Sequence, residues 1–312
     1  MTTCRFSARL KSIMVFAVVV VLARVVPAHA APPTVVTSIK PVQALVKMVM
    51  GNVGDPDVVI PATTSPHLFT LKPSQARMLE NAQIIFWIGA ELETTLKGPL
   101  QKLTGQTAGQ TQPVSLLQVP QLRLIQFPTG GLDPHIWLSP GNARLMVTEI
   151  AQVLSTADPD NATIYASNAK KARQRIAILV RKITAFTQTW QDTPYLVQHD
   201  GFGYLKQDFG FNEVGFIQTI PGREPGARHV AEILDLIRTK GVKCLLHEPQ
   251  FAPKLAQRLN NETGVQLREI DLMGTDLSLS ETTYVRIIQN IVTAMNSCLK
   301  PSKTPLPTEP KP

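Results

Sequence analysis

Four side chains that can bind a metal ion follow turns or strand-like segments in this sequence of 312 residues. His67 ends a Thr-Ser-Pro-His turn, and His135 lies in an Asp-Pro-His turn. His199 and Asp271 each directly follow a short segment whose composition predicts a β-strand. Three neutral imidazoles and one carboxylate make a closed shell of the tetrahedral type that suits zinc.

The spacing of these residues is not a metal signature by itself, because the sequence has neither a His-Glu-x-x-His nor a Cys-x-x-Cys motif. A single histidine in a turn is more often a surface residue than a ligand, and that alternative stays open for each of them. Two more histidines border predicted elements: His247 ends a strand and His229 begins a helix. We assign no metal role to either, and a solvated or helix-capping interpretation is favoured for His229.

Short apolar segments alternate with helical patterns along the chain. The predicted strands are Thr34–Ile39, Asp57–Ile60, Gln83–Ile88, Tyr195–Gln198, Glu213–Thr219, Val242–Leu246 and Val265–Ile270. The predicted shorter helices are Pro41–Met50, Pro73–Asn81, Pro140–Leu154, Val230–Thr239, Ala252–Glu262 and Glu281–Leu299. This alternation predicts an α/β fold with mainly parallel sheets, and ligands of such sheets gather beyond the carboxyl ends of the strands.

One segment, from Asp160 to Thr193, contains no glycine and no proline. Within it a stripe of mainly apolar side chains repeats at alternating steps of four and three: Tyr165, Ala169, Ala172, Ile176, Leu179, Ile183, Phe186 and Trp190. The stripe predicts one long helix, which at thirty residues would span about 45 Å. We interpret it as a strut that joins two α/β lobes; an ordinary bundle helix is the alternative.

The first thirty residues have the composition of a secretory signal peptide. Arg5, Arg9 and Lys11 precede the apolar run Ile13–Leu22, and the small-x-small sequence Ala28–Ala30 follows it. We therefore predict export with cleavage near Ala30, and an uncleaved anchor is the alternative. Four basic residues and no acidic ones lie in this segment, so its removal lowers the formal net charge from +8 to +4.

The remaining charge and cysteines narrow the classes of function further. The mature chain lacks the dense Lys/Arg clusters of nucleic-acid-binding proteins, and we expect a monomer that binds no nucleic acid. It keeps two cysteines, Cys244 and Cys298, which in an oxidising compartment suggest one disulfide; two separate buried thiols are the alternative. The proline- and lysine-rich tail 301–312 is predicted to be disordered.

Several long stretches occur in the order known from one protein family. They are SIKPVQALV, ATTSPHLFTLKPSQARMLENAQIIFWIG, DPHIWLSPGNAR, VQHDGFGYLKQDFG, PGREPGARH, HEPQF and EIDLMGTDL, and together they run from about Val35 to Cys298. On these stretches the sequence resembles the ZnuA-like branch of the metal-binding receptors of ABC transporters. The resemblance implies two α/β lobes joined by one long rigid helix, with the metal in the cleft between them.

The resemblance also implies a function and a set of site residues. It implies a periplasmic receptor, not an enzyme, that captures a zinc ion as its transported ligand and delivers it to the membrane permease. The family's metal-binding positions fall on His67, His135, His199 and Asp271. The zinc branch has a disulfide in the C-terminal lobe, which implies a bond between Cys244 and Cys298. Manganese-type relatives carry glutamate where His199 stands, and imidazole favours zinc over manganese.

The sequence departs from the family's pattern at several positions, and its residues also leave two other functions open. The segment Gln121–Leu132 is short and lacks histidine, Pro66 stands where some members have an acid, and Leu272 replaces a proline after Asp271. A zinc hydrolase would need an open coordination position and a nearby base. A surface adhesin would need an anchor, and no lipobox cysteine occurs near the predicted cleavage.

The predicted domain organisation follows from these elements. The N-terminal lobe is expected to cover residues 31–157, the linking helix 158–191 and the C-terminal lobe 192–300, between the signal peptide 1–30 and the tail 301–312.

Overall fold

The computed structural model describes residues 1–2, 31–106, 111–127, 130–218 and 221–300. Residues 3–30 of the predicted signal peptide and the tail 301–312 therefore lie outside the described residues. In the described part of the chain, no helix combines the length and apolarity that a membrane span requires.

Strands and helices alternate through most of the chain. In order they are β1 (Val35–Thr37), α1 (Lys40–Met50), β2 (Asp57–Val58), α2 (Pro73–Glu80), β3 (Ile84–Trp87), α3 (Thr94–Gln106), β4 (Gln112–Ser115), α4 (Pro140–Ala157), α5 (Ala162–Thr187), β5 (Tyr195–His199), α6 (Gly203–Phe209), β6 (Glu213–Gln218), α7 (Ala227–Thr239), β7 (Cys244–His247), α8 (Lys254–Thr263), β8 (Gln266–Glu269) and α9 (Thr283–Leu299). Short 3-10 turns precede α4 and α5.

The strands form two parallel four-stranded sheets with the same topology. The first has the order β2-β1-β3-β4 and the second β6-β5-β7-β8. The strands β1 and β5, which come first along the chain in their sheets, are inner strands. Both are fully buried, because helices cover the sheets. The order reverses beside each of these strands, so each sheet has a switch point where ligand-binding loops can meet. The predicted α/β fold with two lobes is confirmed.

Three elements were not predicted from the sequence. The strand β4 has only four residues and contains Pro113. Pro113 is tolerated because β4 lies at the edge of its sheet, where the missing N–H of a proline interrupts no hydrogen bonds between inner strands. The helix α3 contains Gly98 and Pro99, which mask its helical pattern, and α6 is only seven residues long.

The long helix is present and is shorter than predicted. It covers Ala162–Thr187, 26 residues or about 39 Å, and the chain leaves the helix six residues before Thr193. It packs against α1 and α4 beside the first sheet and against α6 and α9 beside the second. The helix therefore contacts both lobes, as the strut interpretation requires.

The prediction that Phe186 belongs to the packed stripe of this helix is wrong. Phe186 is 49% exposed, while Thr187 is fully buried. A strict seven-residue repeat drifts by about 20° per heptad, so three heptads after Tyr165 the predicted position lies about 60° off the packed face. The buried positions that follow are Thr187, at the end of the helix, and Trp190, in the turn after it.

The predicted disulfide is present, and the alternative of two separate thiols is wrong. It joins Cys244, the first residue of β7, to Cys298 near the end of α9, with 5.7 Å between the Cα atoms. The bond fastens the last helix of the chain to an inner strand of the second sheet.

A buried carboxyl group predicts how stability depends on pH. Glu93 is fully buried, its oxygens accept hydrogen bonds from the backbone amides of Ile88 and Gly89, and burial raises its pKa from 4.5 to about 7. Its contribution to the free energy of unfolding is fully present below pH 4.5 and is lost as the pH rises through about 7. That loss is on the order of 3 kcal/mol.

Glu93→Gln is therefore expected to flatten the decrease in stability between pH 4.5 and 7. Urea unfolding of the metal-free protein at several pH values measures the slope. Glu80→Gln, at an exposed position on α2, should leave the slope unchanged. Buried Glu213, whose pKa burial also raises to about 7, contributes equally to all these proteins. An equal slope in wild type and Glu93→Gln would contradict the prediction.

Candidate metal centre

Three histidines reach one point from three different loops. His67 lies in the loop between β2 and α2, and His135 directly precedes the 3-10 turn before α4. His199 is the last residue of β5, the inner strand at the switch point of the second sheet. Two of the three therefore come from the N-terminal lobe and one from the C-terminal lobe.

The ring nitrogens of these histidines converge. The Nε2 atom of His135 is 3.1 Å from Nε2 of His67 and 3.2 Å from Nε2 of His199. The ligand atoms of all three lie within 4.8 Å of one another. Two nitrogens that each lie 2.0–2.1 Å from a tetrahedral zinc ion are about 3.3 Å apart. The arrangement therefore has the dimensions of a zinc site.

Two carboxylates orient the deeper rings. The Nδ1 atom of His135 lies 2.7 Å from Oδ1 of Asp133, and Nδ1 of His199 lies 2.6 Å from Oε1 of Glu248. When Nδ1–H donates to a carboxylate, the neutral ring keeps its lone pair on Nε2. Both rings thus direct their basic nitrogen at the shared centre.

The electrostatics of the centre favour a bound cation. Burial, and then the neighbouring rings of His135 and His199, lower the pKa of His67 to about 2, so its imidazole is neutral at physiological pH. Burial alone would lower the pKa of His199, but the carboxylates of Glu248, Asp133 and Asp200 together outweigh it, and the pKa lies above its ordinary value. The neighbouring carboxylates therefore favour positive charge at this centre, whether a ring or a bound ion carries it.

The cavity between the rings is small and has apolar walls. Its volume is about 10 Å³, which is room for roughly one water-sized sphere. The surrounding side chains include Trp137, Phe251, Leu272 and Met273. His135 and His199 are only 2% and 3% exposed. The site fits a single ion far better than an organic molecule.

The structure does not bring Asp271 into this group. Its carboxylate accepts hydrogen bonds from the backbone amides of Met273 and Gly274, at 2.9 and 3.0 Å, and from that of Thr275. The group of converging ligand atoms in the described chain contains the three histidines alone. The ligand role of Asp271 stays a prediction.

The other two histidines lie apart from the centre. His247 ends β7 half-buried, and its Nδ1 atom has no hydrogen-bond partner among the described residues. His229 lies on α7, where its Nε2 atom is 3.1 Å from the carbonyl oxygen of Phe216. The interpretation of His229 as a residue outside the metal site is consistent with this placement.

Comparison with known proteins decides the family. The family model "Zinc-uptake complex component A periplasmic", ZnuA, matches residues 35–298. This chain belongs to the ZnuA family. It is 30% identical to the high-affinity zinc uptake system protein ZnuA of Brucella abortus, over 85% of this chain and 91% of that protein. The ZnuA of Paracoccus denitrificans is 29% identical, over 88% and 94%.

A solved structure supports the fold of this ZnuA-family chain. The zinc-bound crystal structure of a ZnuA deletion mutant superposes with a TM-score of 0.76 at 21% identity, covering 87% of this chain and all of that one. At that identity the likeness concerns the fold alone. The two parallel sheets and the long helix therefore form the architecture of the family.

Sequence reasoning did not assign the roles of Asp133 and Glu248. The carboxylate of Glu248 is occupied by the ring of His199. The signal for Asp133 was its position two residues before His135, in a turn where its Oδ1 also accepts the backbone N–H of His135. No comparable local signal exists for Glu248, which lies 49 residues from its partner.

Glu248→Gln is expected to weaken zinc binding by about 10–100-fold, the range for outer-shell partners of metal-binding histidines. Glutamine keeps the size of the side chain but removes the charge that orients the His199 ring. Zinc affinity measured by competition with a chelator tests this, with exposed Glu262→Gln on α8 as the matched control. An affinity within threefold of wild type would contradict the role of Glu248.

Proposed function

We propose that this chain, as the zinc-binding component of an ABC importer, holds one zinc ion between its lobes with His67, His135 and His199 and delivers it to the membrane permease. The observation that carries the proposal is the convergence of three Nε2 atoms at distances suited to tetrahedral zinc. Family membership supports zinc as the ligand and the permease as the partner.

Isothermal titration of the metal-stripped mature chain tests this function. One tight zinc site per chain is expected, with manganese bound more weakly because three imidazoles favour the softer ion. No tight site, or several of equal affinity, would contradict the proposal. Metal analysis of the protein purified from the periplasm gives an independent measurement of the ion carried in the cell.

Asp271 is proposed as the fourth ligand, with a water molecule as the alternative. A carboxylate has enough lone pairs to hold the turn at Met273–Thr275 and still offer one to an ion. Asp271→Asn keeps the shape of the side chain and removes its charge, so zinc affinity should fall by about tenfold or more, at least the loss that removal of an outer-shell partner causes. Asp276→Asn, at an exposed position nearby, is the control. An unchanged affinity in Asp271→Asn would favour water.

Catalysis is not proposed for this site. A cavity of about 10 Å³ leaves no room for an ester or a peptide beside the ion. The carboxylates of Asp133 and Glu248 are engaged by histidine rings and are not free to act as bases. Zinc-dependent turnover of a chromogenic ester by wild type, absent in His135→Ala, would overturn this interpretation.

Export, processing and organisation complete the proposal. We propose that the signal peptide is cleaved near Ala30, that the mature chain is a monomer without affinity for nucleic acid, and that its lobes cover residues 31–157 and 192–300 around the linking helix 158–191. Membership of a family described as periplasmic supports the export. Amino-terminal sequencing of the protein from the periplasm should begin at or near Ala31. An intact Met1 would contradict cleavage.

A further inference from the structure

The loop that carries His67 is tied to the C-terminal lobe at one backbone atom. The carbonyl oxygen of Ala62 accepts a hydrogen bond of 2.7 Å from Nε2 of Gln250. It accepts a second bond, of 3.3 Å, from Oγ1 of Thr275. Both donors come from loops that follow strands of the second sheet, so the two bonds cross from one lobe to the other.

The donor loops are themselves held in place. Thr275 ends the turn built on the carboxylate of Asp271, which accepts its backbone N–H. The carbonyl oxygen of Thr275 accepts a hydrogen bond of 3.1 Å from Nζ of Lys40, at the start of α1 in the N-terminal lobe. Thr275 thus donates to and accepts from the opposite lobe, which fixes its position from two directions.

Gln250 connects this contact to the metal centre. It lines the same cavity as the three histidines and follows Glu248, the partner of His199, by two residues. One short segment of the C-terminal lobe therefore orients one histidine and holds the loop of another.

His67 needs such support more than the other two histidines. It is half-buried, whereas His135 and His199 are almost fully buried. Among the described contacts, its ring has no carboxylate partner like Asp133 or Glu248. The position of its loop must therefore set the position of its ring.

We propose that Gln250 and Thr275 form a latch on the carbonyl oxygen of Ala62, which keeps the His67 loop closed and sets the rate at which zinc leaves. The proposal rests on the proposed zinc-binding function of the site. Gln250 and Thr275 are positioning residues in this role, because they act on the ion through the loop that carries His67.

Zinc release from the loaded protein into excess chelator, followed by stopped flow, tests the latch. Thr275→Val removes one hydroxyl from a side chain of almost equal shape, and release should become about fivefold faster. The double variant Gln250→Ala/Thr275→Val should release zinc about thirtyfold faster. Hydrogen exchange at the amide of Thr64, which bonds to the carbonyl of Pro61 in the same loop, should rise in parallel.

Controls separate the latch from a general loss of structure. Gln257→Ala/Thr293→Val removes the same atoms at exposed positions on α8 and α9 and should release zinc at the wild-type rate. Thr275→Ser restores the hydroxyl and should return the rate to that of wild type. If the double variant does not fold, the comparison of Thr275→Val with Thr275→Ser still decides the question.

The outcomes distinguish the latch from the proposed function. Wild type that binds zinc, with Thr275→Val and the double variant releasing it within twofold of the wild-type rate, would overturn the latch alone. Wild type without a tight zinc site would overturn the proposed function itself.

Discussion

His135→Ala is expected to weaken zinc binding by at least a hundredfold. The Nε2 atom of His135 is the one that lies close to both other histidines, 3.1 Å from His67 and 3.2 Å from His199. Structural zinc sites bind with about 10–16 kcal/mol shared among about four ligands, so one ligand accounts for roughly 3 kcal/mol on average. A loss of that size corresponds to more than a hundredfold in affinity.

Chelator competition measures this loss, and His229→Ala is the matched control. His229 lies on α7 with its side chain 31% exposed, outside the converging group, so its removal should change zinc affinity less than twofold. Removing His135 also leaves the buried carboxylate of Asp133 without its ring partner, and circular dichroism should establish that the variant is folded. His135→Gln, whose amide can donate to Asp133, provides a second variant. Tight zinc binding by both would contradict the assignment.

Loss of the disulfide is expected to lower the free energy of unfolding by about 4 kcal/mol. The bond between Cys244 and Cys298 closes a loop with a sequence separation of 54, which restricts the unfolded chain on the chain-entropy account. Urea unfolding of Cys298→Ser against oxidised wild type measures the difference. Added reductant should lower the stability of wild type to that of the variant and leave the variant unchanged.

Zinc affinity should change little when the bond is lost. Cys244 begins β7, and Glu248 lies beyond the carboxyl end of the same strand, about 13 Å away at the usual rise per residue. A stability loss below about 1 kcal/mol would contradict the entropic account. A large loss of zinc affinity at equal stability would indicate that the bond positions the metal centre.

Much of the architecture could be predicted because the strands that matter most are inner strands. The strand β5 is buried along its length, and its first three residues, Tyr195–Val197, are apolar with an aromatic and a β-branched residue, which makes the strand visible in sequence. Histidines placed directly after such segments, His199 above all, could be assigned to the carboxyl edge of a sheet. This placement indicates which edge of the sheet a ligand would occupy, whereas the set of metal-binding residues is implied by the family resemblance.

The parts that could not be predicted depend on tertiary contacts. The edge strand Gln112–Ser115 pairs on one side only, so its sequence carries little strand signal. The hydrogen bond from His199 to Glu248 joins residues brought together by parallel pairing of β5 with β7, which no local pattern encodes.

The size of the cavity has a consequence for the choice between zinc and magnesium. A space of about 10 Å³ cannot admit an ion together with its shell of water, so a cation must dehydrate before the three rings can bind it. Magnesium gives up its water reluctantly and prefers six oxygen ligands, and it would meet nitrogen atoms and the apolar wall of Trp137 and Phe251. The cost of dehydration and the preference for oxygen ligands therefore both disfavour magnesium at this site.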